Sequence, residues 1–146
     1  MKIFYAVQAT GNGHISRAME ILPYLKQYGD VDVFLSGHNS SLQMDAEIKY
    51  RSRGVCFFYN RSGSIGYLKT IAQLAPVRVL REARDLPVHQ YDLVINDFEF
   101  ITSLACAIRK IPSVNFGHHA SFQSEKVPRP VKREAFGEWI LSNFGR

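Results

Sequence analysis

An apolar run, Ile3-Phe4-Tyr5-Ala6-Val7, leads within a few residues into Gly11-Asn12-Gly13-His14-Ile15-Ser16-Arg17. A stretch that is hydrophobic on successive residues cannot alternate between core and water, so Lys2 to Gln8 is expected to be a parallel strand buried on both faces. Beyond the glycines, Ile15, Ala18, Met19, Leu22 and Leu25 recur at three- and four-residue steps and share one face of a helix that can lie on that sheet. Pro23 stands inside this helix, where its missing N–H and its ring predict a kink, and Gly29 is read as the stop. Strand, glycine turn and helix in that order place backbone N–H groups and the positive end of a helix dipole at the carboxyl edge of a sheet. Such an edge favours anionic or oxygen-rich ligands.

The rest of the chain repeats the alternation. Strand patterns fall at Val31 to Ser36, Gly54 to Tyr59, Tyr91 to Asn96 and Pro112 to Phe116. Between them lie a Ser/Asn/Gly-rich loop (Ser36 to Ser41), a helical pattern from Ser64 to Leu86 that Pro76 should divide, and a helix from Phe98 to Arg109. In that last helix Ile101, Leu104, Ala105 and Ile108 share a face. A polar, Pro-bearing loop (Gly117 to Pro130) then precedes a helical pattern from Val131 to Phe144 with Phe136, Trp139 and Ile140 on its apolar side. Alternating strands and helices define an α/β domain with an open parallel sheet.

A chain of 146 residues with 46% hydrophobic content can bury one sizeable core, so a single domain spanning residues 1–146 is expected. Its two cysteines, Cys56 and Cys106, lie in apolar surroundings and read as buried thiols rather than a disulfide framework. Apolar stretches are broken by Lys, Arg or Asn before the roughly 20 residues of a membrane span, and the N-terminus enters a strand directly; a cytoplasmic location is the expectation. The net charge of +5 gathers in three clusters: Lys49, Arg51 and Arg53; Arg78, Arg81 and Arg84; and Lys126, Arg129, Lys132 and Arg133. The middle set, spaced by three, reads as the solvated stripe of a helix, and the outer two fall in expected loops. Loop charges of this kind can hold phosphates or anionic lipid headgroups, whereas no recognised nucleic-acid motif accompanies them and none is expected as a partner.

The turns that follow the strands of a parallel sheet share one edge, so residues far apart in sequence converge there. His14 follows the first strand, His38 and Asn39 the second, Asp97 and Glu99 the fourth, and His118 and His119 the fifth. A histidine whose one N–H is held by a carboxylate can take a proton from a hydroxyl with its other nitrogen, and His14 with Asp97 would form such a pair. Each residue also has a plainer reading. His14 could cap or pack, Asp97 could be a helix N-cap, and Glu99 could merely offset the dipole of the first turn. His118 and His119 are candidates for a substrate contact; a metal site built from them with His14 and Asp97 is not expected, since adjacent histidines rarely point at one ion.

Two nucleotide motifs are close but fail. The turn almost spells the dinucleotide fingerprint, yet Ser16 occupies the third glycine position and Ser36-Gly37-His38 stands where a ribose-binding acid belongs. The phosphate-binding P-loop would need a Gly-Lys-Ser/Thr step that is not there. A non-catalytic α/β module holding a phosphate or nucleotide at the Gly11–Gly13 turn remains an alternative.

Three segments carry a family resemblance. Val7 to Arg17, with Gly11-Asn12-Gly13-His14 before an apolar helix, resembles the opening of GT-B glycosyltransferases, notably bacterial enzymes similar to the lipid-linked N-acetylglucosaminyltransferase of peptidoglycan synthesis. Asp92-Leu93-Val94-Ile95-Asn96-Asp97-Phe98-Glu99 is similar to the family's strand ending in an Asp-Phe-Glu step, and Ile111-Pro112-Ser113-Val114-Asn115-Phe116-Gly117-His118-His119 to its next strand and histidine-bearing loop. Asn12 departs from the longer glycine run of the peptidoglycan enzymes. The resemblance implies an N-terminal Rossmann-like, acceptor-side domain with helices on both faces, one half of a GT-B fold whose donor-binding half this chain lacks. It implies an inverting transfer from a nucleotide sugar, bound by that second domain or a partner chain, to a glycan or glycolipid acceptor. His14 would be the base, Asp97 its orienting partner, and Gly11, Asn12, Gly13, Glu99, His118 and His119 would line the substrate site. No metal and no cofactor beyond the donor is implied, and a lipid-linked acceptor would bring the cytoplasmic domain to an anionic membrane surface.

Overall fold

The computed structural model describes residues 1–38, 40–55, 75–117, 124 and 126–128. Strands β1 (Lys2–Gln8), β2 (Asp30–Ser36), β3 (Ile48–Ser52), β4 (Leu93–Asp97) and β5 (Val114–Asn115) form one sheet in the order β3-β2-β1-β4-β5. Every pairing is parallel. Helix α1 (Asn12–Leu25) follows β1, α2 (Pro76–Asp85) and a short 3-10 turn (Val88–Gln90) precede β4, and α3 (Phe100–Arg109) joins β4 to β5.

β1 lies at the centre and is buried from Ile3 to Gln8, as its continuous apolar run requires. Its alternate residues feed two cores. Ile3, Tyr5 and Val7 pack with Ile15, Ala18 and Leu22 of α1 on one face. Phe4 and Ala6 pack with Val79 and Ala83 of α2 and Ile101, Ala105 and Cys106 of α3 on the other. Helices therefore cover both faces, the expected Rossmann-like architecture. Among the described residues no helix is long and apolar enough to cross a membrane.

Several boundaries differ from expectation for identifiable reasons. The third strand of the described residues is Ile48–Ser52, which was not expected; of the expected strand from Gly54 to Tyr59 only 54 and 55 are described, neither of them in a strand. β3 is an edge strand whose residues alternate between half-buried and exposed, so Lys49 and Arg51 belong to a strand and not to a loop. After it Val55 is buried beside Phe34, and 56–74 lie outside the described residues. Pro76 opens α2, where its missing N–H costs nothing, and the 64–74 part of the expected helical pattern lies outside the described residues. Arg81 and Arg84 are exposed on α2 as a solvated stripe, while Arg78 pairs with Glu82 one turn on. Helix α1 runs through Pro23. β4 extends to Asp97 and α3 starts only at Phe100, so the helix cap shifts from Asp97 to Glu99. Cys106 is a buried free thiol; Cys56 and the 131–144 segment lie outside the described residues.

Gly29 is not the stop of α1, which ends at Leu25 and closes through backbone bonds from Lys26, Gln27 and Tyr28. Its role is close approach. A Cβ there would sit 1.9 Å from the carbonyl oxygen of Met1, the same carbonyl that accepts the Asp30 N–H at 2.9 Å to begin the β1–β2 ladder. Backbone cannot step aside as a side-chain tip can. Gly29→Ala is expected to destabilise the domain by more than about 2 kcal/mol, checked by urea unfolding; an unchanged midpoint would contradict this tight crossing.

Candidate active site

The carboxyl ends of β1 and β4 are neighbours, with Val7 in register with Asp97. Asp97 is the last residue of β4 and points to the α1 face, where it has no solvent exposure. Gly11, with φ 102°, turns the chain directly into α1, a backbone state that favours glycine. His14 and Arg17, one helical turn apart, then face Asp97 together.

His14 Nδ1 lies 2.8 Å from Asp97 Oδ1. In the neutral ring a hydrogen on Nδ1 can be donated to that oxygen, and the lone pair is then on Nε2. Arg17 holds the same carboxylate from the other side, its Nε donating to Oδ2 at 3.0 Å and its Nη2 to Oδ1. Arg17 Nη2 also comes within 3.0 Å of His14 Nδ1. With the proton on Nδ1 both groups are donors, so that approach is a crowding of two donors on one acceptor and not a bond. The side chains of His14 and Arg17 keep 17% and 28% exposure above a fully buried carboxylate. A buried charge shared by two partly exposed donors fixes their positions while leaving their outer surfaces at the edge.

Two aromatic rings complete the frame. Phe98 stacks on His14 with ring planes 4° apart and centroids at 5.9 Å, and the guanidinium of Arg17 sits 5.5 Å from the Phe116 ring centroid. Phe98 has φ 59°, a left-handed state costing a bulky residue about 1 kcal/mol or more. Its neighbours enforce it: Asn96 accepts the Glu99 N–H at 2.7 Å and donates to the Glu99 carbonyl and to Ser103, so the backbone between Asp97 and Glu99 has little choice.

The remaining expected site residues divide. Gly13 has nothing within 4 Å of where a Cβ would be, and no side chain caps α1 at Gly11, so the surface over the first turn is open. The Asn12 amide is used within the chain, its Oδ1 accepting from the Ser41 and Leu42 N–H groups and the Ser40 hydroxyl. Glu99 is fully buried; its oxygens accept from the Ile101 and Thr102 N–H groups and the Ser36 hydroxyl, which makes it the cap of α3 and turns its carboxylate away from any substrate. Burial pushes that carboxyl up from its ordinary value against the pull of those donors. His38 is exposed past β2, His89 lies in the 3-10 turn before β4, and Asn39, His118 and His119 lie outside the described residues. Arg17 and Phe98 complete the site unpredicted. Arg17 was readable from its i, i+3 spacing to His14, whereas a left-handed phenylalanine leaves no pattern in sequence.

A parallel α/β sheet carrying a buried carboxylate, a histidine and a glycine turn on its carboxyl edge is the Rossmann-like half of a GT-B architecture. Residues 1–136 match glycosyl transferase family 1. The chain belongs to that family, which assigns it a role in glycosyl transfer. No curated protein matches it.

Proposed function

We propose that this chain is the acceptor-side half of an inverting glycosyltransferase, acting with a donor-binding lobe carried further along the polypeptide or on a partner chain. The observation that carries the reading is the 2.8 Å contact between His14 Nδ1 and a fully buried Asp97. In this mechanism Nε2 of His14 removes the acceptor hydroxyl proton as that oxygen attacks the anomeric carbon of a nucleotide sugar. The bond from that carbon to the diphosphate breaks, the nucleoside diphosphate leaves with the bonding electrons, and attack opposite the leaving group inverts the configuration. Asp97 fixes the tautomer and stabilises the imidazolium that forms. The acceptor is a glycan or glycolipid, and a glycolipid would hold this cytoplasmic domain at an anionic membrane, to which the positive charge of Lys126, Arg129, Lys132 and Arg133 would draw it.

The test follows nucleoside diphosphate release from UDP-, GDP- and dTDP-sugars by the chain alone and combined with its donor lobe. The chain alone is expected to give none. Gly13→Ala adds a methyl group to open space at a helix position, so stability should hold or rise by up to about 1 kcal/mol, while turnover by the combined protein should fall by about 10²-fold if the acceptor rests on that turn. Unchanged turnover would move the acceptor elsewhere. Binding of nucleotide or phosphate by the chain, with no transfer in any combination, would establish the non-catalytic module instead.

A further inference from the structure

Beside the first turn of α1 lies a cleft of about 380 Å³, bounded by the end of β2, the 37–46 loop and β3. Its walls include Ile15, Leu35, Leu42, Met44 and Ile48, and Arg51 stands at its rim with His38. We propose that this cleft is a subsite for an acceptor bearing a compact apolar group with one anionic substituent, the anion being read by Arg51. The proposal deepens the acceptor-side reading and rests on it.

Three features carry it. First, Ala9 at the end of β1 and Ile15 in the first turn of α1 both line the cleft, so it flanks the glycine turn that joins them. Second, the far wall is preformed: the Asn12 Oδ1 bonds to Ser40, Ser41 and Leu42 tie the loop to the turn, and a binding surface that is already ordered loses less entropy when filled. This gives Asn12 the role of a positioning residue. Third, the charge is available. Arg51 is in register with Leu35, is exposed, and has no ion-pair partner among the described residues, whereas Lys49 on the same strand is occupied by Asp32 at 2.6 Å. An apolar recess with one cation at its mouth selects for an amphipathic anion over either a neutral apolar group or a free anion. The volume limits the guest: at ~30 Å³ for each water-sized group it admits about a dozen. Met44 adds a wall that can adapt to an irregular outline.

The experiment titrates the 146-residue chain with 1-naphthyl phosphate, 1-naphthylacetate, 1-naphthol and inorganic phosphate, using calorimetry and the Met44 methyl resonance. At least one naphthyl anion is expected to bind about tenfold or more tighter than naphthol and inorganic phosphate, and which one binds tells whether the anion is a phosphate or a carboxylate. Arg51→Ala should remove about tenfold of that affinity and leave naphthol unaffected, and Leu42→Asp should weaken anion and naphthol alike. Both positions are exposed enough for the fold to persist, which circular dichroism would verify. Naphthyl anions that bind no tighter than naphthol, an Arg51→Ala variant with undiminished affinity, or no binding by any probe would overturn the proposal. The titration requires no sugar transfer, so its failure leaves the His14 mechanism standing, and a failed transfer assay leaves this result standing.

Discussion

His14→Ala, assayed in the chain combined with its donor lobe, is expected to lower nucleotide-sugar turnover by about 10²- to 10⁴-fold, the usual contribution of a positioned general base. Binding of the donor should be retained, because the lost imidazole acts on the acceptor hydroxyl. The variant should also fold: His14 is partly exposed, and Arg17 still satisfies both oxygens of Asp97 after the ring is gone. Asp97→Asn is the complementary change and is less clean. An asparagine can present its NH₂ to Nδ1 and so favour the tautomer with its lone pair on the wrong nitrogen, but it also removes the charge that pairs with the partly exposed Arg17, which lowers stability as well. The pair is best read by its coupling. If Asp97 works through His14, the double variant should turn over no more slowly than His14→Ala alone, since groups acting as a unit are not additive. Independent, multiplicative losses would show that the carboxylate serves Arg17 and the fold, with no part in proton transfer. Turnover undiminished in His14→Ala would remove the base altogether.

The same residues show what the sequence makes legible. β1 and α1 were readable because one pattern served each: an apolar run without alternation admits only a strand covered on both faces, and three-four spacing admits only an amphipathic helix. The convergence of His14 with Asp97 followed from topology, since successive turns of a parallel sheet share an edge whatever their separation along the chain. β3 was hidden because an edge strand buries little. Its Lys49 and Arg51 look like loop charges until Asp32 and the cleft rim account for them. The distribution of labour at the turns was hidden for another reason. Asn12, Asp97 and Glu99 are all polar residues beside a helix start, and only three-dimensional hydrogen bonding decides that Asn12 holds a loop, Asp97 holds His14 and Glu99 caps α3. Composition is indifferent to which way a carboxylate points.

Glu99 also carries the largest expected effect on stability. Three donors meet its carboxylate within 3.0 Å: the Ile101 and Thr102 N–H groups from α3 and the Ser36 hydroxyl from the end of β2. None has water to turn to if the acceptor is removed, because Ser36, Ile101 and Thr102 are themselves fully buried. At about 1–3 kcal/mol for each stranded donor, softened by local rearrangement, Glu99→Ala should cost roughly 3–5 kcal/mol in chemical unfolding. A loss under about 1 kcal/mol would mean that α3 is capped in some other way. The acidity of this carboxyl then gives the sign of a pH effect. Burial raises its folded value above the unfolded one, so the folded state holds the proton more tightly, and its favourable contribution is complete below the unfolded value. That contribution declines as pH rises through the folded value. Glu99→Gln has no such proton to lose, so the stability difference between the natural chain and the glutamine variant should shift in favour of glutamine as pH rises through that window. A difference that moved the other way would show that the three donors stabilise the ionised form by more than burial penalises it. The cap would then be electrostatically matched to its site, and the rigidity of the turn that presents Phe98 to His14 would rest on a carboxylate and not on a carboxylic acid.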